Sequence, residues 1–291
     1  MPADCNSIFS VDVEDWFHIL DVPSAPAITD WGQMPSRVES NFRRLLALFS
    51  EARVQVTCFF LGWIAERYPQ LVREAVNLGH EIASHGYSHQ LAYRTSPSDF
   101  HNDARHSRIL LEQISGQAVL GYRASGFSAT AQTPWFFDEV ARAGYQYDSS
   151  LFPMSRGHGG NSNGLLEPHR VADGALLEIP ISVAELGFAR ICAFGGGYLR
   201  VFPYPAIRNL AQRVLAAGRP VVFYVHPRDI DPGQPRLAMP WRRRFKTYVN
   251  LRTTEGKIRS IMRDFRVTTF RDYLRTLTRP GGAALPATTA R

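Results

Sequence analysis

Two histidines four residues apart, His85 and His89 in EIASHGYSH, follow directly on a short apolar run. If residues 86–89 form a turn, both imidazoles face one cation. A carboxylate from elsewhere would then complete a two-histidine, one-carboxylate set that leaves positions for water and substrate. Zn2+ suits such ligands best, and Co2+, Ni2+ or Fe2+ would take the same set. Alone the spacing is a weak signal. The acidic cluster Asp12-Val13-Glu14-Asp15 is equally ambiguous alone, because it also reads as the cap of a following helix.

The elements that must position these groups alternate along the chain. Strand patterns at 8–13, VQVTCFF, 81–84, 119–122, 145–147, LLEIPISV and PVVFYVH are separated by helical patterns. The helix starts expected are Ser36-Arg37-Val38-Glu39 with capping-box spacing, Ser96-Pro97 and Thr133-Pro134, with further helices at 205–217 and 255–263. Near-continuous apolar strands in this order predict a parallel sheet buried on both faces. Seven or eight strands in roughly 270 residues, without a dinucleotide fingerprint, favour a distorted (β/α) barrel over a doubly wound sheet. In a barrel the C-terminal strand ends share one mouth. That mouth would gather Asp12, Glu14 and Asp15 from the first strand, with His85, Arg123, Asp148 and His226 from later ones.

Composition sets the outer bounds. The 291 residues carry a formal charge of +7, modest for this length, and no nucleic-acid module accompanies it. Cys5, Cys58 and Cys192 are far apart and read as reduced thiols. No apolar run reaches a membrane-spanning length and the start lacks a signal-peptide layout, so the chain reads as cytoplasmic. The region 1–278 reads as one domain with a C-terminal extension from about 231, and 279–291 as a disordered tail. A long loop is expected at 154–173, and a glycine-rich loop at FGGGYLR. The basic run Trp241-Arg242-Arg243-Arg244-Phe245-Lys246 is the candidate partner surface for an anionic polysaccharide, a lipid-linked sugar or a membrane face. Trp16, Phe17 and His18 are either a sugar-holding wall or plain packing.

Five stretches, FSVDVEDWFH, TCFFLGWIAERYPQLVREAVNLGHEIASHGYSH, GYRASGFS, GYQYDSSLFP and VVFYVHPRDID, occur in the order of a known family. They resemble the polysaccharide deacetylases of carbohydrate esterase family 4, with the NodB homology domain. More narrowly, they resemble the exosortase-associated branch found beside exopolysaccharide genes. The resemblance implies Asp12 as catalytic base and His85 and His89 as metal ligands, with a third ligand from Glu14 or Asp15. Asp15 is preferred there as the aspartate the family uses. It further implies Arg123 as the partner that orients Asp12, His226 as general acid with Asp148 beside it, and an oxyanion-holding amide at Gly126 or Phe127. The implied reaction is hydrolysis of an N-acetyl amide on a polysaccharide or lipid-linked oligosaccharide. The alternatives are an amidase acting on a small cyclic amide or imide and an inactive carbohydrate-binding relative.

Overall fold

The computed structural model describes residues 7–155, 159–187 and 189–277. Cys5, residues 156–158 of the expected long loop and the expected tail at 279–291 lie outside the described residues.

Strands β1 (Ser7–Val13), β2 (Thr57–Phe60), β3 (Glu81–Ser84), β4 (Gly121–Tyr122), β5 (Tyr147–Asp148), β6 (His169–Val171), β7 (Leu176–Glu178), β8 (Ala184–Leu186), β9 (Ala189–Ile191), β10 (Val221–Val225) and β11 (Val267–Thr268) occur in chain order. The main sheet runs β10-β1-β2-β3-β4-β5-β7-β6, with β11 pairing to β1. All its pairings are parallel except β6 against β7. The sheet curls into a distorted (β/α) barrel, as expected. β8 and β9 form a separate antiparallel hairpin just past LLEIPISV, where the strand patterns placed nothing.

Helices α1 (Val38–Ala52), α2 (Gly62–Arg67), α3 (Pro69–Asn77), α4 (Pro97–Ser115), α5 (Phe136–Arg142), α6 (Gly196–Val201), α7 (Tyr204–Ala216), α8 (Trp241–Tyr248), α9 (Thr254–Asp264) and α10 (Phe270–Leu277) flank the strands. The apolar spacing in α1 buries Val38, Phe42, Leu45, Leu46 and Phe49, the stripe a helix needs against a sheet. α4 starts as expected, with Ser96 Oγ accepting from the Asp99 amide and Pro97 at the first position. α1 does not use its predicted box: Arg37 is the capping residue, and Ser36 Oγ donates to Asp15 Oδ2 instead. A carboxylate 21 residues upstream thus does the work of the local cap.

Both faces of β1 are buried, and it pairs on both sides, which places it inside the sheet. Cys58 and Cys192 are buried. No helix among the described residues is long and apolar enough to cross a membrane.

Candidate active site

Parallel pairing brings the strand ends to one mouth. Asp12 pairs in register with Phe59, and Phe60 with Ser84, so the residues that follow β1, β2 and β3 are lateral neighbours. Glu14 lies just past β1 and His85 just past β3. The segment 86–89 is not a turn of helix: Gly86 (φ +73°) and His89 (φ +52°) both adopt left-handed backbone. At Gly86 a Cβ would lie 3.0 Å from Asp103 Oδ2, so glycine is required by backbone and by space. Asp103 accepts from the Tyr87 amide (2.7 Å) and the Ser88 amide (3.0 Å), holding the turn that carries His89. A non-glycine residue at positive φ is strained backbone, and this strain positions a site residue.

Glu14, His85 and His89 are buried, and one ligand atom from each lies within 4.8 Å of the others. The His85 Nδ1–H donates to the Arg123 carbonyl (2.7 Å), which leaves Nε2 as the lone-pair nitrogen. Glu14 Oε2 lies 2.7 Å from His89 Nε2, yet this buried oxygen has no aligned hydrogen bond. Three acceptor-type atoms facing one another, one of them orphaned, fit a divalent cation. Burial alone would raise the Glu14 carboxyl, but Arg228, His89 and His226 bring it well below the usual range. It is the ionised form that a metal requires.

Asp15, the preferred third ligand, is placed otherwise. Its Oδ1 accepts from the Trp16 amide (2.8 Å), and its Oδ2 accepts from Ser36 Oγ (2.7 Å), the Arg37 amide (2.9 Å) and the Val38 amide (3.1 Å). Burial still pushes its carboxyl up despite these bonds. Asp15 therefore caps two helical segments, and the preference shifts to Glu14. The physical reason is strand period: Asp12 and Glu14 are two apart and share a face, and Asp15 does not.

Arg123 is completely buried with Nη1 2.6 Å from Asp12 Oδ1 and 2.8 Å from Ser10 Oγ. Its Nε and Nη2 reach the Ser149 carbonyl and hydroxyl, and its guanidinium lies 4.1 Å from the Phe59 ring centroid. Every side of this cation is engaged, which fixes Asp12 and offsets the cost of burying the pair.

His226 enters from β10. Its Nε2 is 3.3 Å from Glu14 Oε1 and 3.8 Å from Asp12 Oδ2, and its Nδ1 is 3.0 Å from Asp229 Oδ2. Burial lowers its pKa to about 3 against the opposing pull of Glu14, so the imidazole is neutral, with its Nδ1–H donating to Asp229 Oδ2. The expected partner Asp148 is not there. Asp148 is buried one strand over, opposite Glu178, and accepts from the Ser150 amide and hydroxyl. Burial raises both carboxyls, Glu178 well above its usual value. Asp148 thus shapes the loop that holds Arg123, through Ser150 and the Ala124 amide. The signal for Asp229 lay in HPRD: the His226 amide donates to Asp229 Oδ2 (2.9 Å), a capping pair three residues apart with proline between them.

The cleft is lined by Asp12, Glu14, His85, His89 and His226, together with Gly126 and Phe127. The Phe127 amide donates to the Ala124 carbonyl (3.1 Å). Trp16 and Phe17 pack in the core, and Trp16 Nε1 donates to the Pro35 carbonyl, so the packing alternative holds for both. His18 does reach the cleft. Its Nδ1 accepts from the Asp15 amide (2.9 Å) and burial holds its pKa well down, which puts its proton on Nε2. Sequence reasoning missed Arg228, whose Nη2 lies 3.1 Å from Glu14 Oε1. It also missed Arg200, which pairs with Asp229. Glycine-rich FGGGYLR opens α6 at the rim, bringing Gly196, Gly197 and Tyr198 to the cleft.

Residues 29–147 match the polysaccharide deacetylase model, and residues 149–275 match a domain of unknown function, DUF3473. Residues 29–147 thus carry the polysaccharide deacetylase family's domain. Among curated relatives of the family, a peptidoglycan deacetylase of Helicobacter pylori is 29% identical over 119 residues, 39% of this chain and 38% of that one. A peptidoglycan-N-acetylglucosamine deacetylase of Bacillus cereus is 27% identical over 35% of this chain and 46% of its own. The chain thus spans less than half the length of the curated relatives it matches. A Mycobacterium smegmatis protein solved as a candidate polysaccharide deacetylase shares the fold, with TM-score 0.63 and 22% identity over 99% of this chain and 96% of that one. So does PuuE allantoinase, with TM-score 0.59 and 17% identity over 93% and 89%.

Proposed function

We propose that the chain is a metal-dependent hydrolase that removes N-acetyl groups from N-acetylhexosamine units of a bacterial exopolysaccharide or its precursor. The observation that carries this reading is the convergence of Glu14, His85 and His89 with an Arg123-held Asp12 and with His226 in one cleft. The curated relatives, deacetylases of peptidoglycan, support the amide-hydrolysis class.

Glu14, His85 and His89 would hold the ion, with zinc the simplest occupant. A divalent metal there supplies Lewis acidity toward a carbonyl oxygen and lowers the pKa of water. Asp12, oriented by Arg123, takes a proton from the attacking water. The oxyanion is assigned to the amide of Gly126, because the Phe127 amide already serves Ala124. His226 Nε2 faces the two carboxylates and relays to the leaving amine the proton that Asp12 took from water, while Asp229 holds the far side of the ring. Water and the N-acetyl sugar become acetate and a free amine.

The experiment is acetate release from N-acetylglucosamine oligomers, run with metal analysis and with Asp12→Asn. Lost turnover with retained metal supports the reading; unchanged turnover in the variant, or a wild type that binds no metal, sinks it. Hydrolysis of a small cyclic amide would use the same residues, and the allantoinase shares the fold. Ring opening without acetate release would replace the first reading with the second.

A further inference from the structure

The cleft is lined by two unlike sets of charges. Its lining includes Asp12 and Glu14 from the end of β1 and a group of cations, Arg200, Arg228, Arg243 and Lys246, from the second half of the chain. Two carboxylates neutralise part of the cationic side: Glu14 holds Arg228, and Asp229 holds Arg200. Lys246 is different. Among the described residues no carboxylate makes an ion pair with its ammonium, which stands 3.7 Å from the Tyr198 ring centroid on the cleft side of α8. Arg243, one turn earlier on α8, also lines the cleft, and among its contacts it donates to the Leu20 carbonyl (2.9 Å).

This wall is built rather than a chance surface run. At Gly197 a Cβ would lie 2.9 Å from Lys246 Cγ and from the Lys246 carbonyl, so only a bare glycine lets α6 close on α8. Arg200 Nη2 ties the two helices together through the Lys246 (2.8 Å) and Thr247 (3.0 Å) carbonyls. Arg200 is buried and its pKa falls to about 9, first through burial and then through repulsion from Arg228. Cations crowded into a low-dielectric wall project a positive field into the cleft. The outward residues Arg242 and Arg244 of α8 do not line it.

We propose that this wall is an anion subsite, and that the acetylated glycan carries an acidic group, a hexuronate carboxylate or a phosphate, within reach of Lys246 and Arg243. The inference rests on the cleft being an N-acetylglycan site. It names which glycans that site prefers: acidic ones. A half-buried ammonium beside an aromatic face gains more from an anion than an exposed one, because less water and salt screen it.

The test is calorimetric binding to the full chain at about 0.1 M salt, which needs no turnover. The probes are an N-acetylated disaccharide bearing a hexuronate, its carboxyl-reduced neutral counterpart, N-acetylglucosamine 1-phosphate and N-acetylglucosamine. The wild type should bind each acidic probe about tenfold tighter than its neutral counterpart, or only one of the two. Preference for the uronate alone assigns a uronic-acid glycan, and preference for the phosphate alone assigns a phosphate-linked saccharide. Lys246→Met should erase most of the preference, Lys246→Arg should keep it, and the exposed control Arg244→Met should leave it intact. Equal binding of acidic and neutral probes by the wild type overturns the proposal, as does a preference that survives in both Lys246→Met and Arg243→Met. Acidic preference without acetate release would sink the deacetylase reading and leave the subsite. Acetate release with no acidic preference would do the reverse.

Discussion

The two halves of the cleft are built by different means. The groups from β1, β3 and β4 sit within the unbroken parallel run β1-β2-β3-β4, so Glu14, His85 and Arg123 converge by sheet order. The groups from the second half, His226, Asp229, Arg200 and Lys246, reach the same mouth because β10 returns to pair with β1, in register from Ser7 with Val221 to Val11 with Val225. The family model covers 29–147, which holds both histidines and Arg123, and the region of unknown function covers His226. The two histidines of the metal-type cluster thus lie in the first region with Glu14 ahead of it, and the proton carrier and cationic wall lie in the second. One consequence is that damage to the first region should remove metal, and damage to the second should leave metal in place.

The largest expected effects test that division. His85→Ala should abolish both metal binding and turnover. Asp12→Asn and His226→Gln should each lower kcat by about 10²- to 10⁴-fold, the range that general acid or base catalysis contributes, with metal retained. Acetate release alongside elemental analysis reads both quantities. Loss of metal in His226→Gln would erase the distinction between the halves.

Next in size is the choice between the two adjacent acids. Glu14→Ala should lower metal affinity by more than the about 10- to 100-fold that losing an outer partner costs. Asp15→Ala should leave affinity unchanged and destabilise the fold by about 1–2 kcal/mol, because the Arg37 and Val38 amides lose their acceptor. Competition with a chelator and thermal unfolding separate these outcomes. A metal defect in Asp15→Ala with normal unfolding would return the ligand to Asp15.

Much of the frame was legible because its cause is local. Apolar strand runs, Ser96-Pro97 and the strand-end positions of Asp12, His85, Arg123 and His226 all follow from pattern and barrel geometry. What was missed depends on contacts between distant residues. Asp15 caps a helix 22 residues away, which no window around DVED can show. The alternation of Asp12 and Glu14 was available in the sequence and was outweighed by residue type. Asp148 has a carboxylate partner, but it is Glu178 across a strand pair only two residues long. α8 was hidden because WRRRFKTY buries no residue of its own, so it carries no apolar stripe for a helical pattern to find.

The smallest effect concerns the seam between the halves, where Asp148 lies between the two matched regions and Glu178 lies in the second. Both carboxyls are pushed up, Glu178 the further, by burial and then by the charge of Asp148. A raised folded-state pKa stabilises fully below the unfolded value, and that stability is lost as pH rises through the folded value. The wild type should therefore lose Tm toward alkaline pH as the shared proton leaves. Glu178→Gln keeps a donor toward Asp148 and has no proton to lose, so its Tm should fall less over the same range. The expected difference is about 2–4 °C, what about 1 kcal/mol produces in a domain of this size. Because Ser150 links Asp148 to the Ala124 amide beside Arg123, loosening this seam should also slow turnover at alkaline pH before the fold melts. Parallel Tm–pH curves for the two proteins would mean that the carboxyls do not share a proton, and that the halves are joined there by packing alone.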